Sequence, residues 1–350
     1  DLNKGVASAN TGSAYIFSSD SLLKITKDST NLAVNGDINF TGKLNGITIT
    51  PSLYEFTSHT FTNCGKTGRF GPNITECTNA YSSAGWTSNT DYFNISPMNG
   101  YQVWTVPVTG KYTIIARGAS DAYDQGLGAT ITVTYTLNKG DQYWICIGQK
   151  GTQGNGTGNW YAGGGGGGTF MVNRRAGVLQ TTSATIDDAL VIAGGGGGSH
   201  ASGPNGANSN GHQAGLSSTK VSCSLDVSTA GGIYISSTNG GGGGAGFIGN
   251  GMGAGATPEA VSFKNGLVGA NASTGNAYGG FGGGGDGGGN PGGGGGGEFG
   301  GNFGDNSTTL GNTNNTYNTG AEAGGSYFRA DGEHMVQGLH VAGHGSLTIT

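Results

Sequence analysis

Between residues 54 and 149 apolar and polar positions alternate in short runs: "YEFTSHTF", "YQVWTVPV", "GKYTIIARGA", "GATITVTYTL" and "DQYWICIG". Each run is rich in β-branched and aromatic residues and is bounded by Gly, Pro, Asn or Asp, so each predicts a strand. No window of comparable length carries a 3.6-residue apolar period. The pattern predicts an all-β framework, a β-sandwich of jelly-roll type. Residues 1–53 alternate as well, but with fewer large apolar side chains. There "SLLKITKDSTNLAVNGDINFTGKLNGITIT" is broken by Asn35-Gly36 and Asn45-Gly46, the strongest short-range hairpin signal. A segment so poor in bulky residues can hardly bury a core alone. It predicts a β-rich fibre stalk that trimerises with copies of itself, ahead of a tip domain over residues 54–350.

Beyond residue 150 the alternation gives way to glycine, of which the chain holds 77 in 350 residues. Runs fill 163–168, 194–198 and 240–244, and the densest stretch is "AYGGFGGGGDGGGNPGGGGGGEFGG" at 277–301. Flexible linkers have this composition, but three features argue for ordered structure. The runs are spliced directly onto strand-like segments, as in "ALVIAGGGGG" and "GGGTFMV"; they carry Phe281, Phe299 and Phe303; and they recur within one domain-sized region. Ordered glycine costs roughly 0.5 to 1 kcal/mol relative to alanine, so something must require the missing side chains. Polyglycine in the polyproline II conformation has three residues per turn and no internal hydrogen bonds. Unlike proline it keeps its N–H, so neighbouring rods can bond to one another in a hexagonal bundle. The stretch at 277–301 reads as two such rods joined by a bend at Pro291.

Composition narrows the function. Hydrophobic residues make up 34% and charged residues 10%, with 15 basic and 20 acidic residues for a net charge of −5. Disorder couples low hydrophobicity to high net charge, and here the charge is missing. There is no basic stripe for nucleic acid, and no apolar run approaches the roughly 18 to 20 residues of a membrane span, so no membrane insertion is expected. Glycine runs satisfy GxGxxG trivially, and none follows a strand and opens a helix. The collagen period and the calcium-binding GGxGxD repeat both fail. No GxSxG, HExxH or Cys–His pair occurs and the acidic residues are scattered, so neither an enzyme nor a cofactor is expected. Cys64 and Cys77 enclose the turn-rich "CGKTGRFGPNITEC", which suits a local disulfide in an oxidising compartment. Cys146 reads as a buried thiol. No metal site is expected; His340 and His344, four apart, read as structural.

Loops on a rigid scaffold carry recognition, and here they are rich in Asn, Ser, Thr and Gly with isolated aromatics. The candidate ligand-binding residues are Tyr123, Asp124, Trp160, Tyr161, His200, His212, Tyr278, Phe281 and Tyr317. Rings that stack on sugar faces and amides that bond hydroxyls suit a glycan; the same composition suits a protein.

Six motifs occur in an order that resembles the glycine-rich extracellular region of the anaplastic lymphoma kinase and leukocyte tyrosine kinase receptors. They are "SHTFTNCGKTGRFGPNITECTNAY", "YQVWTVPVTGKYTI", "GGGGGGTF", "LVIAGGGGG", "GGFGGGGDGGGNPGGGGGGEFGG" and the closing "GHGSLTI". The resemblance covers residues 54–350. It implies a β-sandwich related to the tumour necrosis factor fold with polyproline II glycine helices beside it, and it implies binding of small protein ligands. "LAVNGDINFTGKLNGITIT" in turn resembles the shaft repeats of phage and virus tail fibres, which implies an obligate homotrimer with a receptor-binding tip. Together they imply an extracellular or virion-surface adhesin for a cell-surface glycan or protein, or else a receptor-like module for a small protein ligand.

Overall fold

The computed structural model describes residues 51–154, 160–175, 180–202, 231–232, 241–253, 258–272, 277–288, 292–302, 321–339 and 342–350, with four short strands before residue 50. The chain divides into two compact units, Asp1–Pro51 and Ser52–Thr350. In the first, β1 (Ala14–Tyr15) pairs with β2 (Lys24–Ile25) and β3 (Gly42–Leu44) with β4 (Ile47–Ile49), both antiparallel. Leu44 stands opposite Ile47. Asn35-Gly36 and Asn45-Gly46 lie outside the described residues.

The second unit opens with β5 (His59–Phe61) and a short helix, α1 (Ile74–Ala80). There follow β6 (Phe93–Ile95), β7 (Gln102–Thr105), β8 (Gly110–Arg117), β9 (Ala129–Leu137), β10 (Gln142–Cys146), β11 (Trp160–Ala162) and β12 (Thr169–Asn173). The chain closes with β13 (Ala189–Ala193), β14 (His200–Ser202), β15 (Gly251–Met252), β16 (Pro258–Ala260), β17 (Tyr327–Phe328), β18 (Glu333–Leu339) and β19 (Ser346–Ile349). All five strand-like runs read from the alternation contain a strand. The helix adds to that reading, in which residues 64–77 form a turn-rich loop. Asn73 caps α1 by accepting from the Glu76 N–H at 2.9 Å, while Glu76 accepts from the Asn73 N–H at 2.8 Å. This capping box satisfies two donors that a bare helix end leaves open.

Two antiparallel sheets form the framework. One has the order β17-β13-β12-β10-β7-β6, the other β18-β9-β8-β19-β5. The five-stranded sheet alternates buried and more exposed positions along β8, β9 and β19, the pattern of a sheet with one face in the core. Its Ile114, Ile131, Val133, Tyr135 and Leu347 pack against Trp104, Tyr143, Ile145 and Met171 of the six-stranded sheet. Along β7, β12 and β13 nearly every residue is buried, because that sheet is covered on both faces. Its second face, including Tyr101, Trp144, Cys146 and Phe170, packs on Phe247, Phe263, Leu267 and Phe281 from the glycine-rich region.

The glycine runs continue these strands. Residues 163–168 lead into β12, 194–198 leave β13, and 321–326 lead into β17, so neighbouring strands of one sheet run on as neighbouring glycine segments. Their hydrogen bonds repeat every three residues. Gly163 and Gly166 donate to the carbonyls of Ser199 and Gly196; Gly164 and Gly167 to Thr152 and Gln149; Gly165 and Gly168 to Gly285 and Gly282. Successive N–H groups thus point to three different neighbours in rotation, at 2.8 to 3.2 Å.

The segment 293–298 lies inside the bundle. Its donors reach Gly163 and Gly166, Gly242 and Ala245, and Glu322 and Gly325, while its carbonyls accept from Gly195 and Gly198, from Gly285 and from Gly301. Phe247 donates to the Glu298 carbonyl as well, so all six N–H groups of this segment and most of its carbonyls are bonded to the segments around it. The packing leaves no room for side chains. A Cβ on Gly294 would fall 1.9 Å from the Gly301 carbonyl oxygen, and one on Gly166 2.4 Å from that of Ala119.

Candidate functional site

One end of the glycine bundle joins the sheets; the other carries connections. At that far end Ala122 donates to Gly164, Gly163 to Ser199, Thr152 to Tyr278 and Ala321 to Gly198. With Gly164 donating to Thr152, the connections that carry Ala122, Thr152, Ser199, Tyr278 and Ala321 are tied to one another through backbone bonds alone.

Asp121 anchors the connection between β8 and β9. Its carboxylate, fully buried, accepts from the Gln125 and Gly126 N–H groups at 2.8 and 3.1 Å and from both the N–H and the hydroxyl of Ser199. Burial raises its pKa, and these four bonds work against that rise. Asp124 holds a left-handed conformation at φ 62°, fixed by its side chain: it accepts from the Ser120 hydroxyl at 2.6 Å and forms an ion pair of 2.6 Å with Lys150. Partial burial opposes the Asp124 charge, but Lys150 and Ser120 outweigh it and hold the carboxyl below its usual range. The Lys150 N–H donates to Nδ1 of His344 at 3.1 Å. Burial, assisted by Lys150, lowers the His344 pKa, so its ring is neutral at physiological pH.

Tyr123 sits between Ala122 and Asp124, beside Gly163. Trp160 and Tyr161 lie on β11, which pairs with β14 and sets Ala162 opposite His200, Tyr161 opposite Ala201 and Trp160 opposite Ser202. Tyr278 is fixed by a reciprocal pair of bonds with Thr152, at 2.9 and 2.7 Å. The backbone therefore brings Tyr123, Asp124, Trp160, Tyr161, His200 and Tyr278 to one end of the bundle. His212 and Tyr317 lie outside the described residues, as do Pro291, Phe303 and His340.

Phe281 requires correction. It is fully buried, and its ring fills the space above Gly71 and Gly100, where an added Cβ would come within 2.8 and 2.1 Å of it. Flanking glycines suggested an exposed loop aromatic; they are there because the ring needs room. Phe70 is 54% exposed, and its place between two glycines of the "CGKTGRFGPNITEC" loop is the signal in the sequence that marks it. Cys64 and Cys77 are joined by a disulfide with Cα atoms 4.9 Å apart, and Cys146 is a buried free thiol.

Among the described residues no three His, Cys, Asp or Glu side chains are grouped to hold a metal ion, and no helix is long and apolar enough to cross a membrane. No family model matches the chain. Over 97 residues, 26% of its length, it is 33% identical to the leukocyte tyrosine kinase receptor of Mus musculus, and the match spans 11% of that receptor.

Proposed function

We propose that this chain is a non-enzymatic adhesin, the receptor-binding tip of a homotrimeric fibre on a virion or cell surface. The single observation that supports it most is the convergence of four connections, carrying Tyr123, Asp124, Trp160, Tyr161, His200 and Tyr278, at one end of a glycine bundle. In this reading the bundle is a set of polyproline II rods. The three-residue rotation of donors supports that assignment, because three residues per turn is the polyproline II repeat. Such rods are stiff and present a fixed set of loops, while a trimer multiplies weak contacts into avidity.

A second reading is a module that binds a small protein ligand as a monomer. The partial likeness to a receptor tyrosine kinase favours it. Light scattering on the full chain and on a version starting at Tyr54 separates the two. Three chain masses that fall on truncation support the fibre tip. One chain mass in both samples overturns it. Exchange of the 120–126 loop, with unchanged circular dichroism, is expected to abolish cell attachment; retained attachment would move recognition away from this end.

A further inference from the structure

A cavity of about 340 Å3 opens on the flank of the bundle, away from the loop-bearing end. Its walls are the disulfide loop, the turn at 96–100 and the turn at 263–268, and its lining includes Lys66, Phe70, Met98, Asn99, Asn265 and Val268. At its base Phe281 lies level with Gly167, where the glycine segments enter the sheet, whereas the loops leave from Gly163 and Gly164. No function proposed for the loops involves it.

The walls are rigid. The loop bearing Lys66 and Phe70 is closed by the Cys64–Cys77 disulfide. Buried Gln149 donates to the Phe70 carbonyl at 3.1 Å, and Arg69 donates to the Gly269 carbonyl at 3.0 Å while its guanidinium lies 5.1 Å from the Phe70 ring centre. On the facing wall Asn265 gives its amide hydrogens to Asn250 and Ser262, which leaves its carbonyl oxygen as an acceptor. A preformed site of this size and mixed lining fits a small ligand.

The chemistry defines that ligand. Phe70 and Met98 expose 54% and 36% of their surface, an apolar face beside two exposed carboxamides, Asn99 and Asn265. Lys66 is the cation among the lining residues and pairs with Glu76 at 2.9 Å, while Arg69, beside Phe70, bonds the Gly269 carbonyl and Asn271 Oδ1. The disulfide loop that forms this wall therefore carries two cations, Lys66 and Arg69, against one carboxylate, Glu76, on a chain of net charge −5. No carboxylate lines the cavity. On its wall the Gly266 N–H is already bonded to the Ser262 carbonyl. Recognition falls to side chains that bond hydroxyl, amide and carboxylate groups around an apolar patch. We infer that the cavity binds an anionic, N-acylated sugar residue: carboxylate toward Lys66, acyl methyl against Phe70 and Met98, hydroxyl and amide groups to Asn99 and Asn265.

The test is saturation-transfer NMR and titration of the full chain with the methyl glycoside of N-acetylneuraminic acid, alongside neutral N-acetylglucosamine. Saturable binding of the acidic probe is expected, with transfer strongest at the N-acetyl methyl. Phe70→Ala and Asn265→Ala each weaken it about tenfold, and Lys66→Gln removes the preference for the acidic over the neutral sugar. Val336→Ala, at an exposed position of β18 outside the cavity lining, changes nothing. Because the substituted side chains are partly exposed, circular dichroism of each variant should match the parent. Absence of saturable binding, equal binding of both sugars, or binding indifferent to Phe70→Ala and Asn265→Ala overturns the assignment.

Discussion

Asp121 and Ser199, 78 positions apart in the chain, meet through two hydrogen bonds to one carboxylate oxygen. The contact locks the β8–β9 connection onto the end of the segment that leaves β13. Replacing Asp121 with Ala orphans the N–H groups of Gln125, Gly126 and Ser199 in a buried site, at a cost of about 2 to 3 kcal/mol. Urea unfolding is expected to show that loss, and amide shifts at Tyr123 and Asp124 are expected to move more than those in β9. An unchanged midpoint would mean that the loop is held by its neighbours instead.

Glycine positions divide sharply. Gly294→Ala forces a Cβ to 1.9 Å from a carbonyl in the middle of the bundle, and this variant should fail to accumulate as soluble protein. Gly110 and Gly338 lie on β8 and β18 with nothing within 4 Å of an added Cβ. Alanine there removes freedom from the unfolded chain and should raise stability by about 0.5 kcal/mol. Soluble yield and thermal midpoints of the three variants check both halves.

His59 and Glu298 set opposite pH slopes. His59 packs edge-on against Phe61, Tyr81 and Trp86 with ring centres 4.6, 4.6 and 5.0 Å away, and burial pushes its pKa down to about 4. Above pH 6.5 the ring is neutral folded and unfolded alike; as pH falls toward 4 only the unfolded chain takes the proton, so stability drops by about 3 kcal/mol at most. His59→Phe is expected to flatten that acid limb in urea titrations at pH 7.5, 5.5 and 4.5.

Burial pushes the Glu298 carboxyl the other way, up to about 7, and its Oε2 has no hydrogen-bond partner. Its cost is absent below pH 4.5 and grows until pH passes 7, because the unfolded chain ionises first. Glu298→Gln should therefore be more stable than the parent at pH 8, by about 3 kcal/mol at most, and equal to it at pH 4.5. A gain of the same size at both pH values would show that the carboxyl is not titrating.

The disulfide spans a sequence separation of 13, a loop whose closure is worth about 3 kcal/mol. Cys64→Ala with Cys77→Ala should lower the thermal midpoint accordingly and loosen the wall that carries Phe70. Cys146, fully buried with its thiol pKa raised by burial, is expected to resist alkylation until the protein unfolds. Mass spectrometry after alkylation of folded and unfolded samples checks it.

The strands were legible because β-branched and aromatic residues alternate with polar ones along 54–149. The flanks "GGGTFMV" and "ALVIA" likewise announced β12 and β13. Helix α1 was missed for want of an apolar period, though Asn73 and Glu76 stood at capping-box spacing. Glycine itself explains the rest. With no side chain it carries no pattern to name a neighbour, so nothing in the runs told that 293–298 would be enclosed or that Phe281 would be covered. Tyr123, Asp124, Trp160, Tyr161, His200 and Tyr278 were found as loop residues; that they share one end of the bundle required the fold. Phe70 and Asn265, nearly 200 positions apart in the chain, form opposite walls of a cavity that no local motif could reveal.

Donors that rotate through three neighbours give each glycine run a reading frame. In the proposed polyproline II reading, inserting one residue between Gly163 and Gly168 turns every later N–H by about 120°, away from its own acceptor and toward the next segment's. Two insertions do the same in the other direction. Three restore the direction of every later N–H. Natural length variation within these runs should therefore fall in triplets, while the loops between them vary one residue at a time.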